Sequence, residues 1–316
     1  MNLVTIIIPM YNEQENIKNC IEVLRGQKNQ YFDVVFIDDG STDSTVKEVE
    51  SCLYLQVDFN YKVIKQTNKG AAEARRIGIE NSSTKFVMIF DCDDKLSNDI
   101  VSEVYTQYIA YPNVDIIMPN MLLQNSNKDW NDLIFYTKET ILEPLDCIEN
   151  SIGGWHVHGC LAVRKIVFEK SYKSYKSYNV KNTNYINNDE VITRLNFLNS
   201  KVIIRSKATY YYCYNISSTT KRVNYKKYLM IRNSFILFEI FKDEKKIAQK
   251  IISELVSASW SIFRYMQKHK IEIKNTIEWE NEIKSSLKHI KYFKVMKNIN
   301  LKKKIQLTIL KTIFLF

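Results

Sequence analysis

The sequence predicts an α/β protein: a mostly parallel sheet flanked by helices and continued by a helical C-terminal extension. Three observations carry this. Short β-branched and aromatic runs recur about every 25–30 residues with helix-period stretches between them, the pattern of βαβ units. Two of the runs end in clustered carboxylates, Asp38-Asp39-Gly40-Ser41-Thr42-Asp43 and Asp91-Cys92-Asp93-Asp94. Charge is divided unevenly: residues 1–220 hold 23 basic and 27 acidic side chains, whereas residues 221–316 hold 22 and 8.

Leu3–Pro9 opens the series as a strand, and Ile17, Cys20, Ile21 and Leu24 then fall on one helical face. Val34–Ile37 is the second strand. Ser41-Thr42-Asp43-Ser44 supplies cap residues for a helix through Val46, Val49 and Leu53. Tyr61–Lys65 is a third strand, and residues 68–79 read as a loop entering a helix. Phe86–Phe90 is the fourth, a helix follows Ser97-Asn98-Asp99, and Val114–Met118 is a further strand. Residues 120–185 are less regular, and the repeat Ser171-Tyr172-Lys173-Ser174-Tyr175-Lys176-Ser177-Tyr178 reads as a loop whose exposed tyrosines either stack on sugar faces or carry no role. From Tyr225 onward the pattern is helical, with Ile247, Ile251, Leu255 and Ile262 on one side.

The totals bound the function. With 316 residues and 45% apolar content the chain can bury a full core. Its six cysteines show no C-x-x-C pair and suit a reducing compartment. The immediate strand pattern predicts no secretory leader, and no apolar run reaches the roughly 18–20 residues of a spanning helix. A dinucleotide-dependent oxidoreductase is disfavoured because no G-x-G-x-x-G follows the first strand, and a nucleotidyltransferase because a Gly-rich G-x-G-T-R-like loop is missing there too.

In an open α/β sheet, ligands bind beyond the carboxyl ends of the strands. Carboxylates gathered there repel one another unless a hard divalent cation, hydroxyls or base N–H groups lie between them. That chemistry points to a metal-bridged nucleotide.

Four motifs stand in order: Pro9-x-Tyr11-Asn12-Glu13, Asp38-Asp39-Gly40-Ser41-Thr42-Asp43, Asn68-x-Gly70 with Ala74-Arg75-x-x-Gly78-Ile79, and Phe90-Asp91-x-Asp93-Asp94. Together they resemble the donor half of family 2 glycosyltransferases, inverting enzymes of the Rossmann-like GT-A fold. The resemblance is strong over residues 1–120 and weaker over 150–225. It implies a catalytic domain at 1–222, with a donor half at 1–120 and an acceptor half at 121–222, followed by a basic helical region at 223–316. It implies a nucleotide-sugar donor, with UDP as the nucleotide, and a divalent cation, Mn²⁺ or Mg²⁺, on Asp93 with Asp91. Asp91 also serves the ribose and diphosphate, and Asp94 shares either task. Asp39, or else Asp38, takes the base imide N–H, while Pro9 and Tyr11 shape the base pocket. Glu13 bonds backbone or ribose or is simply solvated. Asn68 and Arg75 flank nucleoside and diphosphate. Asp43 reads as a helix cap, and the role of Arg76 is open.

An inverting transfer needs a base on the acceptor side of the sugar. Asn187-Asn188-Asp189-Glu190 resembles the family's acidic site before a helix, with the order of the two acids reversed; Asp189 is favoured over Glu190. Trp155, His156 and His158 stand where the family lines its acceptor site, and ordinary packing is the competing reading; the H-x-H pair specifies no third metal ligand. Ser217-Ser218-Thr219-Thr220-Lys221 resembles an element that closes over the diphosphate. The acceptor implied is a lipid-linked or growing surface polysaccharide of the capsule, O-antigen or lipooligosaccharide kind. Nothing in the basic region matches a nucleic-acid-reading motif, so no nucleic acid partner is expected. Residues 301–316 interleave Lys with Leu, Ile and Phe, as in a helix lying in an anionic membrane interface at the cytoplasmic face, or as in a helix packed on the domain. The alternative to an enzyme is a non-catalytic paralogue that binds nucleotide-sugars or scaffolds a membrane assembly.

Overall fold

Runs such as Val4-Thr5-Ile6-Ile7-Ile8 form strands because β-branched side chains fit a pleated surface covered on both faces. The computed structural model describes residues 2–54, 57–154, 156–179, 187–215, 223–273, 275–290 and 299–315. The first half runs β1 (Val4–Met10), α1 (Ile17–Arg25), β2 (Asp33–Asp38), α2 (Thr45–Tyr54), β3 (Asn60–Lys65), α3 (Ala71–Glu80), β4 (Phe86–Ile89), β5 (Lys95–Leu96), α4 (Ile100–Ala110) and β6 (Ile116–Gln124). Then come β7 (Trp130–Asp132), β8 (Ile141–Leu142), α5 (Pro144–Ser151), β9 (Ala162–Arg164), α6 (Lys165–Tyr178), α7 (Asp189–Leu198) and β10 (Ile203–Tyr212). The C-terminal helices are α8 (Met230–Phe241), α9 (Lys245–Lys268), α10 (Lys270–Ile273), α11 (Ile277–His289) and α12 (Leu301–Leu315).

These strands form one sheet in the order β3-β2-β1-β4-β9-β6-β10-β5, with β7 beside β6 and β8 beside β10. The β3-β2-β1-β4 block is parallel throughout, and β6 and β10 are parallel to each other. Between the two blocks lies the three-residue β9, antiparallel to both β4 and β6. The strand-like stretch around Ala162 is therefore the bridge that completes the sheet.

Alternation along β1 sends its side chains to two different cores. Ile6 and Ile8 pack with α1, α2 and α4, whereas Ile7 packs with the buried faces of α3 and α5 to α8. The expected tyrosine-bearing loop is instead helix α6. Ser171 and Tyr175 are buried in it, because positions four apart share one helical face.

The basic region does not stand apart. Ile236, Leu237 and Phe241 of α8, with Ile247 and Ile251 of α9, join the second core. Beyond them α9, α11 and α12 build a third, around Leu255, Trp279, Ile283, Leu307 and Leu310. Among the described residues no helix is long and apolar enough to cross a membrane.

One close approach positions the site. A Cβ on Gly78 would overlap Cγ2 of Ile7, so glycine lets α3 press directly onto β1. Gly78→Ala is expected to destabilise the fold by about 1–3 kcal/mol through overpacking, measured by urea denaturation.

Candidate active site

The parallel ladders deliver the motifs to one edge. Asp39 N–H donates to the Met10 carbonyl (2.8 Å), Gln66 N–H to the Asp38 carbonyl (2.9 Å) and Phe90 N–H to the Ile7 carbonyl (2.9 Å), so the loops after β1 to β4 leave the sheet side by side. The first two then interlock. Asn12, at φ 56°, accepts from Thr42 N–H (2.8 Å) through its side chain. Its own N–H reaches Ser41 Oγ (3.0 Å), and Glu13 N–H donates to Thr45 Oγ1 (2.7 Å). Asp43 accepts from Thr45 N–H (2.9 Å), satisfying an otherwise orphaned donor at the start of α2.

Asp38 and Asp39 are both buried, and their roles differ. Asp39 takes the Gln66 side chain (2.7 Å) and the N–H groups of Lys69 (2.8 Å) and Gly70 (2.8 Å), holding the loop into α3. A carboxylate has about four acceptor positions, so these three donors leave one open. Asp38 accepts from Ser41 N–H (3.2 Å). Gly40, at φ +75°, is needed here: a Cβ would come within 2.8 Å of Asn68 N. Tyr11 and Asn68 are exposed at the rim, and Pro9 is half-buried beside them. Glu13 accepts from Asn16 (2.6 Å), and desolvation raises its carboxyl, with Asp93 and Asp91 adding to the rise.

Arg75 is the centre of the arrangement. It projects from the first turns of α3, 3.4 Å from both Asp91 oxygens and 4.0 Å from Asp189 Oδ1. Burial works against its charge, but Asp91 and Asp189 more than offset that and hold its pKa above the ordinary arginine value. Its Nε is buried with no partner among the described residues. Neighbouring Arg76 turns to Glu73 (2.6 Å) and Glu80 instead, as a helix-surface ion pair.

The acidic loop after β4 is divided by burial. Asp91 and Asp93 are half-buried, and Asp93 accepts from the Asn215 side chain (2.8 Å). Asp94 points inward to Tyr210 Oη (2.7 Å) and Cys213 N–H (2.8 Å). Burial pushes its carboxyl up to about 8, Asp91 adds to this, and the two hydrogen bonds oppose it. Tyr210, Cys213 and Asn215 are thus site residues that sequence reasoning missed. The signal was the Tyr210-Tyr211-Tyr212 run, whose Tyr210 registers opposite Leu96 just beyond the acidic loop.

Asp189 and Glu190 open α7, where a negative charge suits the helix N-terminus. The turn before them places Asn187 at φ 59°, and the buried Asn233 of α8 donates to its carbonyl (3.0 Å). Glu190 turns towards Arg194 (3.8 Å), whose guanidinium also reaches the carbonyls of Glu190 (2.6 Å) and Ser151. Desolvation raises Glu190's carboxyl, Arg194 opposes it and Asp189 adds to it.

On the expected acceptor side, Trp155 and the Ser217–Lys221 element lie outside the described residues. His156 is exposed, its Nδ1 3.2 Å from the Ile134 carbonyl. His158 is 4% exposed, with Nε2 2.8 Å from the Pro119 carbonyl, so its imidazole is packed inside the protein rather than presented to a ligand. The two rings serve different neighbours and do not form a metal pair.

Among the described residues, no group of three or more His, Cys, Asp and Glu side chains is arranged to enclose a metal ion. Asp91 and Asp93 offer hard oxygens from one loop. Such a set fits a cation of the Mg²⁺ kind, held by one or two carboxylates and completed by water and substrate phosphates, not a closed protein cage.

A sheet of mostly parallel strands flanked by helices, gathering carboxylates at the carboxyl ends of its strands, is the layout of the GT-A class. Residues 5–175 match the family described as glycosyl transferase family 2, and the chain belongs to that family. It is 28% identical over 135 residues to glycosyltransferase GlyG of Streptococcus pneumoniae, covering 42% of each protein. It is 36% identical over 99 residues to a teichoic acid poly(glycerol phosphate) polymerase of Staphylococcus epidermidis, covering 31% of this chain and 14% of that one. The chain therefore matches less than half the length of these curated relatives. Among solved structures, residues 1–349 of S. aureus TarS in complex with UDP-GlcNAc superpose with a TM-score of 0.71 at 18% identity, over 98% of this chain and 87% of that one, which shows the shared fold.

Two outcomes follow from the buried polar groups. Tyr210→Phe leaves Asp94 short of a donor and is expected to cost about 1–3 kcal/mol in chemical denaturation. His158 is held down to about 4 by burial, so below pH 6.5 the unfolded chain binds a proton that the folded one refuses. Its contribution is fully present above pH 6.5 and is lost as pH falls towards 4; His158→Gln is expected to flatten that part of a stability–pH curve.

Proposed function

We propose that the chain is a metal-assisted inverting glycosyltransferase that moves a sugar from a UDP-sugar to a saccharide or lipid-linked saccharide acceptor, with residues 1–222 as the catalytic unit. The observation that carries this is the position of Arg75, 3.4 Å from Asp91 on the strand edge and 4.0 Å from Asp189 on α7. Donor-side and acceptor-side carboxylates share one cleft and one cation. The UDP-GlcNAc and UDP complexes of TarS, and the surface-polymer names among the curated relatives, favour a UDP-sugar and a polysaccharide acceptor.

In this reading Asp39 or Asp38 accepts the base imide N–H, Pro9, Tyr11 and Asn68 border the nucleoside, and Glu13 stands by the ribose. The guanidinium of Arg75 binds the diphosphate; its buried Nε has no partner among the described residues. Asp91 and Asp93 would hold a divalent cation, which when bound would neutralise charge growing on the departing diphosphate. Asp189 takes the proton of the acceptor hydroxyl as its oxygen bonds to the anomeric carbon and the bond to phosphate breaks on the opposite face, inverting the configuration. Glu190, drawn towards Arg194, is the supporting carboxylate. His156 and Trp155 border the acceptor. The setting is the cytoplasmic face of a membrane, with the protein held peripherally.

Nucleotide release from UDP-, GDP- and dTDP-sugars, with and without Mn²⁺, tests this. Turnover with a UDP-sugar that disappears without metal and in Asp93→Ala is expected; turnover that persists in both sinks the metal-assisted reading. Asp189→Asn is expected to lower transfer at least about 100-fold while donor binding survives, and Glu190→Gln less than about tenfold. The reverse ranking moves the base to Glu190.

A further inference from the structure

Helix α12 is apolar on two sides. Leu307 and Leu310 are fully buried against α9 and α11, and the opposite side carries Leu301, Ile305, Ile309 and Ile313, which are 72, 53, 38 and 51% exposed. At 100° per residue these four fall within an arc of about 120°, together with Thr308, Thr312 and Lys302. A helix that is apolar all round is normally enclosed all round. Here one side is enclosed by the protein and the other stands open. At the C-terminal end Ile313 also lines a cavity of about 410 Å³ with Phe263, Phe314, Glu280 and Lys284, a mixed surface at which the apolar strip stops.

We propose that this outward face of α12 docks on an anionic phospholipid bilayer, lying in its interface. The proposal deepens the peripheral setting proposed above and rests on it. Charge identifies the occupant. Residues 283–316 contain nine lysines and neither Asp nor Glu. Lys303 is turned inward to Glu254 (2.9 Å) and Ser253 (2.8 Å), and Lys311 to the Ile290 carbonyl (3.1 Å). Lys302 is exposed within the open face, and Lys304 is half-buried outside its edge. A second copy would bring the same lysines to the contact and be repelled, whereas an anionic headgroup layer is attracted by about 1 kcal/mol per surface lysine. Burial fixes the orientation: Leu307 and Leu310 hold one side of α12 against α9 and α11, so only the opposite side is open to the bilayer and the helix lies along its surface.

The burial of Leu307 and Leu310 dictates how this is tested, because deleting residues 301–316 would open the third core. The full chain and its Ile305→Asp/Ile309→Asp variant are to be sedimented with vesicles of phosphatidylcholine alone and with about one-quarter phosphatidylglycerol. Wild type is expected to bind only the anionic vesicles, less so at high salt, and the variant to bind them at least about tenfold more weakly. Its melting temperature and its nucleotide release are expected to match those of wild type. Failure of wild type to bind, or equal binding by the variant, overturns the proposal. Loss of a concentration-dependent dimer in the variant, in place of vesicle binding, assigns the face to a second copy and also overturns it. Nucleotide release, read separately, tests the transferase reading whichever way the vesicles come out.

Discussion

Like charges crowded at one sheet edge are the constraint on which the rest of this structure depends. Asp38, Asp39, Asp91, Asp93, Asp94 and Asp189 converge on the carboxyl end of the parallel block, and each needs a counterpart. Asp39 finds three donors in the loop entering α3, Asp94 finds Tyr210 and a backbone N–H, and Asp91 and Asp189 share Arg75. The local elements can be read as supports for these pairings. Gly78 lets α3 sit low enough on β1 for Arg75 to reach inward, and Gly40 lets the β2 loop approach the α3 loop. Were the carboxylates removed, the close approaches would have little to hold.

Strands β1, β2 and β4 were legible in the sequence because they are buried on both faces and therefore almost wholly apolar, whereas the exposed edge strand β3 shows only in Tyr61, Val63 and Ile64. Val34–Ile37 and Tyr61–Lys65 fall within observed strands, and the glycines and acids at their ends mark where the chain turns. Less local features were not legible. The pairing of Tyr210 with Asp94 spans 116 positions, and nothing in a tyrosine-rich strand states which ring will meet a carboxylate. The tyrosine repeat looked irregular because serine and lysine dilute its apolar content, yet its spacing of three suits a helix equally well. His158 shows the same limit, since an alternating H-x-H stretch does not reveal which ring turns inward.

The basic region shows how charge and packing are read separately. Its lysine excess is visible by counting, and its helical period by inspection. Which side of α12 faces the protein is not, because Leu, Ile and Phe occupy nearly every angle around it. Only the neighbours decide: α9 and α11 cover Leu307 and Leu310 and leave Ile305 and Ile309 uncovered.

The short strand β9 has a consequence for how such a protein can diversify. Three residues, Ala162–Arg164, join the β1–β4 block to the β6–β10 block by hydrogen bonds, and Arg164 fastens them with bonds to the Pro112 and Val114 carbonyls and an ion pair to Asp115. A seam this narrow transmits little register from one side to the other. Loops and helices on the far side can lengthen, shorten or be exchanged over evolutionary time with little effect on the strands that carry Asp38 and Asp39, whereas the acidic loop after β4, bonded across to Tyr210, Cys213 and Asn215, moves with β10.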